Sequence, residues 1–379
     1  MILELNEQQK MIRNMVREFA AKEIAPKAAE LDEKEEYPQD ALDKMAKLGI
    51  LGAIIPAEYG GAGLDIVTYS VLIEEISRAC ASTGVVTSVH NSLTSWPIMK
   101  YGTEEQKKKY LPILARGEKI GAFGGTEPNA GSDLGAMQTT AVLDGDNYII
   151  NGAKTFITSG PKAGIIIVFA VTDKEAGSKG ISTFIVESGF KGYSVGGIFE
   201  KIGINGSLTS ELLFEDMVVP KENLLGKEGD GFKIALSTLD GGRIGIAAQA
   251  VGIAQAALDE SVEYSKQRQQ FGKPLAKFQA IQWMIAEMAT KIEAARFLVR
   301  NAAFKEDQGE RFGKEAAMAK LFAADAASWC ADKAIQIHGG YGYTKEYPVE
   351  RLYRDARITS IYEGTSEVMK MVIAGSLLR

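Results

Sequence analysis

Residues 358–370, ITSIYEGTSEVMK, place a glutamate, Glu363, between a tyrosine and a glycine, directly before a helix start built from Thr365, Ser366 and Glu367. A carboxylate there either complements the positive end of the coming helix or takes a proton from something bound beside it. Other segments carry residue types suited to holding a ligand. In AFGGTEPNAGSD, residues 122–133, the glycines, proline and asparagine predict a tight turn that offers backbone amides to an anion or to a flat polar ring edge. In KTFITSG, residues 154–160, Phe156 and Thr158 alternate with Ile157, so on a strand an aromatic ring and a hydroxyl share one face; barrel packing alone produces the same alternation. Arg268 in RQQFGKP presents a guanidinium fork that matches a diphosphate, or else a surface ion-pair partner. Asp240 and Arg243 in LDGGR stand three apart, hence on one helix face, where an intrahelical ion pair is the simplest reading.

Missing chemistry narrows the field. With only His90 and His338, no HExxH and no clustered Cys and His, a metal site is not expected. No GxGxxG follows a strand, no Gly-Lys pair sits in a P-loop, and no GxSxG elbow occurs. The net charge of -6 leaves no basic footprint for nucleic acid. Cys80 and Cys330 form no CxxC pair, which fits a reducing compartment and makes the cytoplasm the expected location. The N-terminal stretch lacks the charged and apolar regions of a leader and reads as mature protein. Residues 164–171, the longest compact apolar run, fall far short of the roughly 20 residues a membrane span needs, so no membrane segment is expected.

Three textures position these residues. Helical periodicity covers the first part, with Met11, Ile12, Met15, Val16, Phe19 and Ile24 on one stripe, and the basic run EEQKKKY reads as a solvated helix face. Short β-rich runs follow, among them LDGDNYIING, which predicts a hairpin around an Asp-Gly turn. Helical periodicity then returns to the end. The expected architecture is multidomain α and β: an N-terminal α-helical domain (residues 1–120), a middle β-barrel or sandwich domain (121–226) and a C-terminal four-helix-bundle-like domain (227–379).

Taken in order, AFGGTEPNAGSD, KTFITSG, RQQFGKP, LDGGRIGIAAQAVGIAQ, HGGYGYTKEYPVER and IYEGTSE resemble the acyl-CoA dehydrogenase family over essentially the whole chain, nearest to its bacterial short-chain, butyryl-CoA-type members. The resemblance implies an FAD-dependent oxidoreductase that dehydrogenates an acyl-CoA thioester between its α and β carbons, with Glu363 as the base. It implies FAD contacts at Phe123, Thr126, Ser132, Phe156, Thr158, Arg268, Gln270, Phe271, Gln279, Gln336, Gly339, Gly340, Thr365 and Glu367, the later ones reaching a neighbouring subunit of a homotetramer, a dimer of dimers. Substrate contacts are implied at Ser132, Asp240, Arg243, Tyr362, Gly364, Gly125 and Trp96, and an electron-transferring flavoprotein as the redox partner. Some relatives carry the base just before the arginine matching Arg243; here that position is Gly242, which leaves Glu363. Phe156 stands where many members have Trp, and Asn205 gives INGS where IRGS is usual. Gly124 and Gly125 replace bulkier residues before TEP, which predicts extra volume for a branched, alicyclic or aryl acyl group, whereas Trp96 predicts a narrowed far end and a short chain. An enoyl-CoA reductase working in reverse and a non-catalytic assembly relative are the rival readings.

Overall fold

The computed structural model describes residues 4–378. The first helices are α1 (Glu7–Phe19), α2 (Ala28–Glu33), α3 (Gln39–Lys47), α4 (Ile66–Ala79), α5 (Ala81–Ser88), α6 (Trp96–Tyr101) and α7 (Glu104–Ala115). Local chemistry sets their starts: Asn6 and Gln9 form a reciprocal capping box on α1, and Thr103 and Gln106 do the same on α7. Between α5 and α6 the buried stretch Val89–Ser95 widens into a π-helix, a distortion that recurs at functional sites.

The middle region is a curled mixed sheet of β1 (Ile120–Gly124), β2 (Thr140–Asp144), β3 (Asn147–Thr158), β4 (Ala163–Val171), β5 (Ile181–Glu187), β6 (Tyr193–Ile198), β7 (Thr209–Pro220) and β8 (Leu224–Leu225). The strand order is β6-β7-β3-β2-β4-β5-β8, with β1 also paired to β4. Strands β2 and β3 form the predicted hairpin, Asp144 opposite Asn147 across Gly145 at φ +59°. The apolar run of β4 has a physical reason, because the strand is covered on both faces. Ile165, Ile167 and Phe169 pack toward α7, while Ile166, Val168 and Ala170 fill the sheet's own interior with Tyr148, Phe184 and Phe214.

The last region holds α8 (Gly231–Gln267), the small hairpin β9 (Gln269–Gln270) and β10 (Lys273–Pro274), then α9 (Gln279–Asp307), α10 (Gly313–His338), α11 (Val349–Ile358) and α12 (Ser366–Leu377). Helix α8 is apolar on all sides and accordingly central, packing against α4, α5, α9, α10 and α11. One hydrophobic cluster therefore runs from Val16 to Ala356 through both helical regions. Among the described residues, no helix is long and apolar enough to cross a membrane.

Candidate active site

Glu363 sits in the turn between α11 and α12, at φ +52°, followed by Gly364 at φ +102°. A non-glycine residue holds that conformation only where its surroundings enforce it. Here three anchors do so. Thr365 caps α12 by accepting from the Val368 N–H at 3.3 Å. The Tyr362 hydroxyl donates to Gln249 Oε1, and Gln249 Nε2 in turn donates to the Ala81 carbonyl at 2.9 Å. Lys320 Nζ, from α10, donates to the Gly364 carbonyl at 2.6 Å. Glu363 as a residue is half-buried, yet both its carboxylate oxygens are closed off from solvent and neither has a hydrogen-bond partner among the described residues. Burial pushes its pKa up to about 8, against the opposing pull of Lys320 and Arg243. A sealed, unpartnered carboxyl group costs stability, so packing alone does not account for this one.

Opposite it lies α8. A Cβ at Gly242 would meet the Glu363 carboxylate oxygen and come within 2.6 Å of Leu93 Cδ2, so only glycine fits. Arg243, 4% exposed, makes the predicted ion pair, Nη1 to Asp240 Oδ1 at 2.5 Å, and its charge also reaches Glu363. One residue earlier, a Cβ at Gly241 would stand 3.7 Å from Glu306 Oε1, the oxygen to which Trp96 Nε1 donates at 3.0 Å. Burial pushes Glu306 up to about 7, and its Oε2 has no partner. Leu93 and Trp96 on one side and the side-chain-free Gly241 and Gly242 on the other thus face each other across a closed slot, with Glu363 at one end, where not one more methyl group fits, and the Trp96–Glu306 pair at the other.

The edge of the sheet adjoins this slot, since Thr94, next to Leu93, donates to the Ala122 carbonyl at 3.1 Å. The volume expected beside Gly125 is taken by Phe123, whereas at Gly124 a Cβ would make only ordinary contacts. A Cβ at Gly125 would come within 2.7 Å of the Phe123 ring, and one at Gly124 would face Lys154 Cγ at 3.5 Å. The Thr126 carbonyl accepts from the Thr155 N–H at 2.9 Å and ties the TEP turn to β3. Glu127, in the same turn, accepts from Lys154 Nζ at 2.7 Å, from the Thr139 N–H at 3.0 Å and from the Gln138 N–H at 2.5 Å. Burial pushes Lys154 down to about 8. Burial also opposes the charge on Glu127, but Lys154 and these donors outweigh it and hold the carboxyl below its ordinary range. Phe156, at φ +56°, stands 63% exposed where the β3–β7 register breaks, while Ile157 is buried and Thr158 half-buried, the predicted alternation. Ser132 is exposed on the turn, and neither Thr126 nor Thr158 spends its hydroxyl on a bond among the described residues.

The remaining predicted residues gather elsewhere. Arg268 lies 26 residues beyond Gly242 along α8, roughly 39 Å away at the helical rise. Its guanidinium stacks 5.5 Å from the Tyr341 ring, beside the exposed Gln336, Gly339 and Gly340. Gln270 and Phe271 form the tip of the β9–β10 hairpin, Phe271 being 93% exposed, and its ring packs on Phe278, next to the exposed Gln279. Thr365 and Glu367 stay beside Glu363, the first as a cap and the second exposed. Sequence reasoning passed over Lys320 and Glu306. The signal for Lys320 was present, a lone lysine in AAMAKLFAADAA; Glu306, in the charged stretch KEDQGE, gave none.

The chain matches the family models described as acyl-CoA dehydrogenase N-terminal domain at residues 6–118, middle domain at 122–217 and C-terminal domain at 229–378. A curated relative, the short-chain specific acyl-CoA dehydrogenase of Clostridium acetobutylicum, is 56% identical over 99% of each chain. The butyryl-CoA dehydrogenase structure from Megasphaera elsdenii superposes with a TM-score of 0.98 at 50% identity, with full coverage of both chains. A structure from work on the electron transferring flavoprotein of Acidaminococcus fermentans and flavin-based electron bifurcation gives 0.99 at 54% identity, again with full coverage.

Proposed function

The chain belongs to the acyl-CoA dehydrogenase family, and from that premise we propose that Glu363 removes the α-proton of a short acyl-CoA thioester held in the slot between Leu93, Trp96 and α8. The observation that carries this is the Glu363 carboxylate itself, buried and unpartnered against Gly242. As Glu363 takes the α-proton, the C–H electron pair becomes the new π bond and the β-hydrogen departs with its own pair. When bound, FAD supplies the acceptor for that hydride. Expelling water around an apolar acyl chain keeps the Glu363 pKa within useful range of the proton it must take. The Glu363 N–H, beside Gly364, offers a donor to the thioester oxygen as charge develops there.

The residues fit the cofactor. Phe156 presents an uncovered aromatic face, Thr126 and Thr158 carry hydroxyls uncommitted among the described residues, and Ser132 is exposed on the turn that follows β1. Arg268, Gln270, Phe271, Gln279, Gln336, Gly339 and Gly340 are too distant to join that flavin within one chain. Their separation supports a homotetramer, a dimer of dimers, in which they complete a neighbour's FAD site. Electron-transferring flavoprotein is the proposed redox partner, supported by the Acidaminococcus relative. The two free, buried cysteines support a cytoplasmic location.

On substrate, Trp96 held by Glu306 and Phe123 filling the space beside Gly125 support a butyryl-sized chain over a branched, alicyclic or aryl one. The test is an anaerobic titration with butyryl-CoA and, in parallel, cyclohexane-1-carboxyl-CoA, following the visible flavin band in the wild type and in Glu363→Gln. Butyryl-CoA should bleach the wild type alone. Bleaching of Glu363→Gln at the wild-type rate would refute the base, and bleaching only by the cyclic thioester would refute the chain-length reading. The Acidaminococcus structure's link to electron bifurcation favours a second direction on the same site, Glu363 returning a proton to the α-carbon of a 2-enoyl-CoA. Reoxidation of the reduced enzyme by crotonyl-CoA measures it.

A further inference from the structure

Lys320 lies in the middle of α10 and is fully buried, an expensive place for an ammonium group. Its immediate neighbours along the helix are alanine, leucine and phenylalanine, and the nearest acid of its own helix that its charge reaches is Asp325, five residues on. Among the described residues, its ammonium makes one hydrogen bond, to the carbonyl of Gly364 at 2.6 Å, the residue directly after the base. Both Glu363 oxygens lack a hydrogen-bond partner, so Lys320 acts on the carboxylate through space without being bonded to it. That distinction has chemical weight. A lysine bonded directly to the carboxylate would occupy one of its lone pairs and compete with the substrate proton, whereas one held a residue away leaves all of them free and still favours the ionised form.

We propose that Lys320 is a positioning residue for proton abstraction: its bond to the Gly364 carbonyl fixes the left-handed Glu363–Gly364 turn, and its ammonium favours the ionised base without bonding to it. This rests on the reading of Glu363 as the base. The turn needs such a tie, because Glu363 at φ +52° and Gly364 at φ +102° lie where a chain settles only under constraint. The other charged and titratable groups around the carboxylate are Arg243 of α8 with its partner Asp240, Tyr69 of α4 and the adjacent Tyr362. Lys320 also senses Arg243, Asp325 of its own helix and Glu367 of α12. Arg243 shares its charge with Asp240 through their 2.5 Å ion pair, whereas among the described residues no carboxylate lies within salt-bridge distance of Lys320. Burial pushes Lys320 down to about 8, against the raising effect of Glu363, so over the range in which the base ionises the two groups titrate together.

The test compares Lys320→Met, which keeps the length and removes both charge and donor, with Lys320→Gln, which keeps a donor and removes the charge. Rapid-mixing reduction of the flavin by butyryl-CoA is followed as a function of pH. A second readout, independent of turnover, is the proton uptake when crotonyl-CoA binds, measured calorimetrically in buffers of different ionisation heat. Without the ammonium the base is harder to ionise, so in both variants the midpoint of each pH profile should move up by about one unit or more. Lys320→Met should in addition lose roughly tenfold or more of its pH-independent rate, from the loosened turn, with Lys320→Gln recovering part of it. If Lys320→Met does not retain flavin, the midpoint shift in Lys320→Gln decides. Unshifted midpoints in a folded, flavin-loaded variant, with only lowered thermal stability, would reduce Lys320 to a packing role and overturn the proposal. Glu363→Gln run alongside separates the two failures: normal flavin reduction there overturns the base itself, whereas a dead Glu363→Gln beside unshifted Lys320 variants overturns the lysine's role alone.

Discussion

Replacing Gly242 by alanine adds a single methyl group, and the structure says where it goes. The new Cβ would lie 2.6 Å from Leu93 Cδ2 and 3.1 Å from the Glu363 carboxyl carbon, and closer still to one carboxylate oxygen, where ordinary contacts begin near 3.4 Å. Leu93 is packed in the main core, and α8 is held on several sides, so neither yields readily. The carboxylate must swing away, on the order of an ångström, while Lys320 and Tyr362 hold its backbone. A displacement of that size at a reacting atom costs about a hundredfold in rate, or about 2.7 kcal/mol of barrier. Alanine is the better helix former by about 0.8–1 kcal/mol, which offsets part of the crowding and favours a variant that still folds. The assay is anaerobic rapid mixing with saturating butyryl-CoA, reading the limiting rate of flavin bleaching alongside flavin content and melting temperature. We expect about a hundredfold slower reduction in a protein that keeps its flavin. Reduction at the wild-type rate would mean that the observed position of Glu363 is not the one it reacts from, and the slot described here would lose its base.

Two further outcomes follow from the same geometry. Because burial holds the free Glu363 carboxyl at about 8, the second-order rate of flavin reduction should rise with pH through that value, with the base protonated below it and ionised above it; a profile flat from pH 6 to 9 would contradict the burial described. By linkage, this raised pKa gives a folding contribution that is fully present below the ordinary carboxyl range and lost as pH rises through about 8, so denaturant unfolding of Glu363→Gln should depend less on pH than that of the wild type. Glu127→Ala leaves Lys154 buried without its partner and frees the TEP turn from three donors, at a cost of roughly 3–5 kcal/mol, visible as a lowered denaturant midpoint together with flavin loss.

The sequence made the architecture legible where periodicity is strong. The change from a helical stripe at Val16 and Phe19 to short β runs near Ile120 and back at Gly231 follows the change from α7 to β1 and from β8 to α8. Glu363 was legible through its neighbours Tyr362 and Gly364 and through the glycine at 242, which could not serve as a base. What was not legible depended on distances between remote residues. Gly125 looks like vacated space in one dimension, and only the folded chain shows Phe123 turning back to fill it. Glu306 lies among charges that read as solvated, yet Trp96, far away in sequence, covers it. The π-helical turn at Val89–Ser95, which brings Leu93 to α8, has no residue signature that local propensity would reveal.

The hydrophobic cluster that joins Val16 to Ala356 also bears on how the molecule is assembled. In topological terms the β-sheet is an insertion into a single helical body rather than one bead of three on a string. When α4 and α5 have left the ribosome, the face they will bury is still waiting for α8, which begins only at Gly231. The nascent chain must keep that apolar face from other partners while the whole sheet is made, and contacts of such long sequence separation form slowly. Cleavage in the loops that lead into or out of the sheet would leave fragments that remain locked together, because α4 and α8 hold each other whether or not the chain between them is intact.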